Sequence, residues 1–168
     1  MAKVNGVRCL TEAALCTALA VVLSRVELFR LPQGGSVTLE IVPMLLFAQR
    51  WGLKAGAAAG AVNGILQWIL GGYVVTPVQG LLDYPMAFGA LGLAGLSCVS
   101  SWIGVVIAVI ARIACHVVSG VVFFSEYAPE GTHPFIYSLV YNGSFMAVNA
   151  VFALVLLPLI NKRLKRFE

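Results

Sequence analysis

The sequence predicts an all-α polytopic membrane protein: six transmembrane helices in a compact bundle, with both termini in the cytoplasm. Three observations carry that prediction. The first is composition. Of 168 residues, 60% are hydrophobic and only 11% charged, and mean hydropathy is +0.94. A soluble domain carries about 25% charged residues, so this chain has lipid for a solvent. A span takes roughly 20 residues, which leaves room for six or seven and for no separate soluble domain. Residues 1–168 therefore read as one integral-membrane domain. The second is the punctuation of apolar runs by Pro- and Gly-bearing turns. The third is where the basic residues fall, at the ends of those runs, which is a topology signal and not a nucleic-acid one.

Segment one runs from about 7 to 28 and reads as a retained helix, since no small-residue cleavage site follows a short apolar core. Ala14 and Ala18 lie four apart, with Ala13 and Thr17 beside them. Small residues at that spacing let another helix approach closely. Packing inside the bundle and docking of a partner membrane subunit both fit. Residues 29–38 hold Pro32, Gly34 and Gly35, which break a helix. With Arg25, Glu27, Arg30 and Glu40 around them they read as water-facing. A loop this long in so compact a protein reads as a lid, with a plain connector as the alternative.

Segment two, about 39–49, contains Pro43 and predicts a tilt or kink. The turn QRWGLK separates it from segment three, about 53–70. There Gly56, Gly60 and Gly64 repeat every four residues and make a close-packing face. Asn63 and Gln67 share another face, for hydrogen bonding between helices or for lining a pocket. Segment four, about 77–98, opens on Pro77, which suits a first helical position. Asp83 lies roughly 9 Å along it. Pro85 bends the helix and opens space there. Segment five, about 101–124, carries Arg112 and His116 on one face. The loop SEYAPEGTHP leads to segment six, about 135–160, which ends in NKRLKRFE.

Six spans put both termini on one side. Lys3, Arg8, Arg50, Lys54, Lys162, Arg163, Lys165 and Arg166 share that side, which the positive-inside rule makes cytoplasmic. Asp83 then falls in the outer third. His116 lies about 13 Å below the outer surface, Tyr137 about 5 Å and Asn142 about 12 Å. Four polar side chains from three helices thus reach similar depth on one side. They read as a ligand pocket, with a mutually satisfied Asp83–His116–Asn142 network as the alternative. Asp83 offers charge to a cationic or donor-rich ligand. Tyr84, Phe123, Phe124, Tyr137 and Tyr141 offer faces to a planar ring or a cation. Arg112, deeper, orients His116 or neutralises Asp83.

No catalytic residue is assigned. His116 and Ser119 sit three apart on one helix, which does not present a nucleophile to a base, and no Gly-x-Ser-x-Gly turn occurs. No metal-ligand or phosphate-binding motif occurs either. Cys9, Cys16, Cys98 and Cys115 read as small apolar residues, with no disulfide and no metal site. No cofactor and no nucleic acid is expected.

The stretches GGSVTLEIVPMLLFAQRWGLKAG, PVQGLLDYPMAFGALGLAG, ARIACHVVSGVVFFSEYAP and YSLVYNGSF, in that order, resemble the thiamine-specific S component of energy-coupling-factor (ECF) transporters. The resemblance covers nearly the whole chain. It implies a six-helix subunit that binds thiamine on its outer side, with the first loop as lid. A membrane scaffold subunit and two cytoplasmic ATPase subunits would drive release inward. It implies a substrate site of Asp83, Tyr84, His116, Phe124, Tyr137 and Asn142, and docking of the scaffold on the Ala14 and Ala18 face. Three positions depart from that family's pattern: Phe124 and Asn63 stand where tryptophans are expected, and Asp83 where a glutamate is. The expected function is therefore thiamine capture for an ATP-driven importer. The alternatives are a thiamine precursor or another heterocyclic vitamin as ligand, and a self-sufficient proton-coupled carrier using Asp83 and His116.

Overall fold

The structure, a computed structural model, describes residues 6–164 apart from the side chain of residue 33. Lys3, Lys165 and Arg166 lie outside the described residues. Helices account for most of what is described. Among them α1 (Gly6–Ser24), α5 (Ser101–Phe123) and α6 (Pro134–Leu164) are each long and apolar enough to cross a bilayer. Large apolar side chains point outward along all three, Leu10, Ile110 and Val140 for example. Water would not tolerate so much exposed hydrocarbon, whereas lipid does.

α1 ends at Ser24, earlier than the sequence suggests. The Ser24 hydroxyl turns back to the Val21 carbonyl at 2.7 Å, and the next amide, Arg25, reaches only three residues back, to Val22. Ala14 and Ala18 face outward while Thr17 faces inward and is buried. These residues therefore belong to two faces, not one.

Residues 29–38 form a small hairpin. Strands β1 (Phe29–Arg30) and β2 (Ser36–Val37) pair antiparallel, Phe29 opposite Val37. A short 3-10 turn, Pro32–Gly34, joins them. Gly34 has φ 93°, a conformation a Cβ disfavours.

The second and third apolar segments are one long helix, α2 (Ile41–Ile69), bent at Gly52. The bend needs no loop, because Gly52 alone takes φ 84°, ψ 176°, a region open essentially only to glycine. The fourth segment is short pieces end to end: α3 (Pro77–Leu81), a π turn over Leu82–Met86, α4 (Ala87–Ala90) and a 3-10 turn, Leu91–Gly95. Thr76 caps it, accepting from the Gln79 amide at 3.2 Å, and Pro77 follows at the first helical position. Pro85 lacks the N–H a regular helix needs, and the π turn absorbs that defect.

The glycine stripe of α2 allows this irregular segment to lie almost on its backbone. A Cβ on Gly60 would overlap the Phe88 carbonyl, and one on Gly64 would overlap the Tyr84 carbonyl. The core around this seam contains Ile41, Met44, Leu45, Phe47, Leu91, Val105 and Met146.

The two ends of the bundle differ. At one end Glu12 accepts from Arg8 (3.1 Å), Arg50 (3.1 Å) and the Trp51 indole (2.7 Å). Nearby Gln49 donates to the Ser101 carbonyl (3.2 Å) and accepts from Asn161 (3.0 Å). The start of α1, the bend of α2, the start of α5 and the end of α6 therefore meet there, with the basic residues. The hairpin, the 71–76 turn and the 125–127 turn gather at the other end.

Candidate ligand-binding site

The hairpin end encloses a cavity of about 200 Å³. Asp83, Tyr84, His116, Phe124, Tyr137 and Asn142 all line it. The π turn aims Asp83 from the irregular segment. α5 contributes Arg112, His116 and Ser119, spaced to share a face. α6 contributes Tyr137, Tyr141, Asn142 and Phe145.

The carboxylate is held from three directions. Asp83 Oδ1 meets His116 Nδ1 at 2.8 Å. Oδ2 accepts from the Gln79 amide and the Ser119 hydroxyl, each at 2.6 Å. Behind them, Arg112 Nε donates to His116 Nε2 at 3.4 Å. A guanidinium can only donate, so Nε2 accepts, and Nδ1 carries the proton that goes to Asp83.

Arg112 is buried and pairs with Glu40, Nη2 to Oε1, at 3.0 Å. Its guanidinium carbon also lies 3.9 Å from the Phe88 ring centroid, a cation–π distance. Of the two roles open to Arg112, the geometry gives it the orientation of His116; its charge is spent on Glu40, not Asp83. Its Nη1 has no partner among the described residues. Glu40 is accordingly not water-facing as its loop position suggests; its side chain is 13% exposed. It also accepts from Gln67 at 3.5 Å.

Gln67 meets both readings, lining the cavity and bonding between helices, and Asn63 meets neither. Gln67 lines the cavity and takes the Ser24 hydroxyl at 3.1 Å. Asn63 is fully buried, and among the described residues neither of its amide atoms has a partner. Asn142 spends its amide N–H groups on Ser138, on the carbonyl at 2.9 Å and the hydroxyl at 3.2 Å.

Aromatic rings wall the cavity. Tyr137 and Tyr141 stack with centroids 6.1 Å apart, and Phe145 meets Tyr141 edge-on at 6.1 Å. At the rim Phe124 contacts Tyr73 and Tyr127, each at 6.0 Å. The interaction of Tyr127 with the Tyr73 hydroxyl, and the nearby Glu126 charge, push its phenol above the ordinary range.

The hairpin covers the cavity and is tied to α6 at two points. Tyr141 accepts from the Gly35 amide at 3.1 Å and donates to the Pro32 carbonyl. Asn149 accepts from the Thr38 amide at 3.0 Å and donates to the Ser36 carbonyl at 3.2 Å.

Sequence reasoning missed Glu40 and Gln79 as site residues and, though it read Ser119 beside His116, missed its bond to Asp83. A signal existed for two of them. Gln79 lies four residues before Asp83, and Ser119 three after His116, so each shares a helical face with a recognised residue. Glu40 gave none.

The sequence profile described as Thiamine transporter protein (Thia_YuaJ) matches residues 10–168. A thiamine transporter, ThiT, of Bacillus subtilis (strain 168) is 39% identical over 170 residues, 90% of this chain and 88% of its own. One of Lacticaseibacillus paracasei is 34% identical over 164 residues, 86% and 82% of the two chains. The solved structure of ThiT from Listeria monocytogenes superposes with a TM-score of 0.84 at 26% identity, covering 94% of each chain. A solved S component of a bacterial ECF transporter gives 0.68 at 19% identity over 97% of this chain and 98% of that one, a likeness of fold.

Proposed function

The chain belongs to the thiamine transporter protein family, and from that premise we propose that it captures thiamine on the outer face of the membrane and delivers it through an ATP-driven energising module. It is a multi-pass protein of the cell membrane, and it serves transport, not catalysis. In this reading residues 1–168 form one domain of six spans, the two arms of α2 counting as two and the irregular fourth segment as one. Both termini are cytoplasmic, because the end that gathers Arg8, Arg50, Lys162 and Arg163 is the one that stays inside. The cavity then opens outward beneath the hairpin lid. The partners are a membrane scaffold subunit and two cytoplasmic ATPase subunits, and the outward-facing Ala14 and Ala18 of α1 are the docking face.

One observation carries the ligand assignment: a fixed carboxylate, Asp83, borders an aromatic-walled cavity. Thiamine is a cation built on two aromatic rings. Asp83 balances the cation, and Tyr84, Phe124 and Tyr137 present ring faces. His116 and Asn142 complete the substrate-binding set.

Calorimetric titration of the purified chain with thiamine, its phosphates and its pyrimidine half tests this. Calorimetry is preferable to intrinsic fluorescence, since none of Trp51, Trp68 and Trp102 lines the cavity. Asp83→Asn places an amide N–H₂ among three donors, and His116→Ala leaves Asp83 short of one. Each is expected to weaken thiamine binding by about 1–3 kcal/mol, the cost of stranding a buried polar partner. Unchanged affinity in both variants defeats the site assignment. Tighter binding of the pyrimidine half than of thiamine moves the assignment to a precursor. The proton-coupled carrier rests on the 2.8 Å Asp83–His116 contact; uptake by vesicles that hold this chain without any ATPase would establish it.

A further inference from the structure

We propose that Gln79 and Ser119 are positioning residues that hold Asp83 as a fixed charge, so that the acid selects its ligand by positive charge. This rests on the thiamine reading above and specifies how the site discriminates.

Gln79 and Ser119 are each only 1% exposed. Both lie at 2.6 Å from the same oxygen, Oδ2. A carboxylate oxygen has two lone-pair directions in its plane, so Oδ2 is saturated by the protein. Oδ1 already accepts from His116 at 2.8 Å. With three tethers from two elements, the carboxylate cannot swing to meet a ligand donor without breaking a charge-assisted bond.

The Gln79 amide is itself fixed. Its Oε1 accepts from the Val75 amide at 3.0 Å, and its second N–H goes to the Tyr73 carbonyl at 3.3 Å. A flipped amide would set its oxygen against Asp83 and its N–H₂ against the Val75 N–H, losing every bond. Gln79 therefore also ties the acid to the 71–76 turn, whose Gly72 and Tyr73 border the cavity. Ser119 has one hydroxyl proton, and Asp83 takes it. What remains for the ligand is one lone pair of Oδ1 and the net charge, which these tethers hold at one spot.

The test compares thiamine with a neutral isostere in which an uncharged thiophene replaces the thiazolium. Both are titrated into the purified full-length chain as wild type, Ser119→Ala and Gln79→Met. Wild type is expected to prefer thiamine. Each variant, with the carboxylate no longer held in one place, is expected to lose thiamine affinity by about tenfold, the size of one hydrogen bond to a charged group. The isostere is expected to change by less than about twofold, since it never used the charge. Equal losses for both ligands would mean that the two residues only support the fold, and would overturn the proposal. So would unchanged thiamine affinity in variants of a wild type that binds it. A wild type that does not bind thiamine overturns the functional reading and this inference with it. If Gln79→Met does not fold, the single-atom change Ser119→Ala decides alone.

Discussion

At the scale of single residues, the interior holds a paired charge and, among the described residues, an amide without a partner. Glu40 and Arg112 pair at 3.0 Å, and losing either leaves a buried charge without its counter-charge, costing about 3–5 kcal/mol. Asn63 is the opposite case. Both of its amide atoms are buried without a partner, so it bears the cost of desolvation with no bond in return. Asn63→Leu, of similar shape, is expected to raise stability by about 1 kcal/mol and to leave thiamine affinity unchanged. Thermal unfolding of the solubilised protein, followed by circular dichroism, checks this. A lowered melting temperature would show that the amide makes a bond the protein needs.

At the scale of elements, two arrangements position the site. One is the seam between α2 and the irregular segment that carries Asp83 and Tyr84. Gly64 faces the Tyr84 carbonyl there with no room for a methyl group. Gly64→Ala is expected to destabilise by about 1–3 kcal/mol, as overpacking does, and to weaken ligand binding, because the Asp83–Tyr84 backbone must retreat. A melting curve and a titration on the same preparation read both effects. The other is the hairpin on α6. Asn149 anchors its base through buried Thr38, while Tyr141 holds its tip at Gly35 and Pro32. Tyr141→Phe keeps the ring against Phe145 and removes the tether. Ligand release is expected to quicken about thirtyfold, the equivalent of two neutral hydrogen bonds of about 1 kcal/mol each; stopped-flow displacement measures it.

At the scale of the whole molecule, the bundle has a ligand end and a basic end, and one helix with an outward face of small residues. Ala14 and Ala18 are exposed on α1, and Thr17 and Ala20 pack inward. Ala14→Trp therefore places its ring outside the bundle. It is expected to abolish uptake by the assembled transporter while thiamine binding by the isolated chain stays within about twofold of wild type. Loss of binding would show that this face packs within the chain.

Composition and spacing alone determined the solvent and the helical class, because hydropathy and helical periodicity need no knowledge of neighbours. Those quantities are properties of each segment by itself. Which group faces which was decided by the tertiary structure. Glu40, placed by its sequence in a polar loop, folds onto Arg112, 72 residues away. Gln79 and Ser119, from separate segments, converge on one carboxylate oxygen. Gly52 turns an expected loop into a bend within α2. A hydrogen bond forms or fails within a few tenths of an ångström, and that distance is set by how helices rotate and slide against one another when they pack.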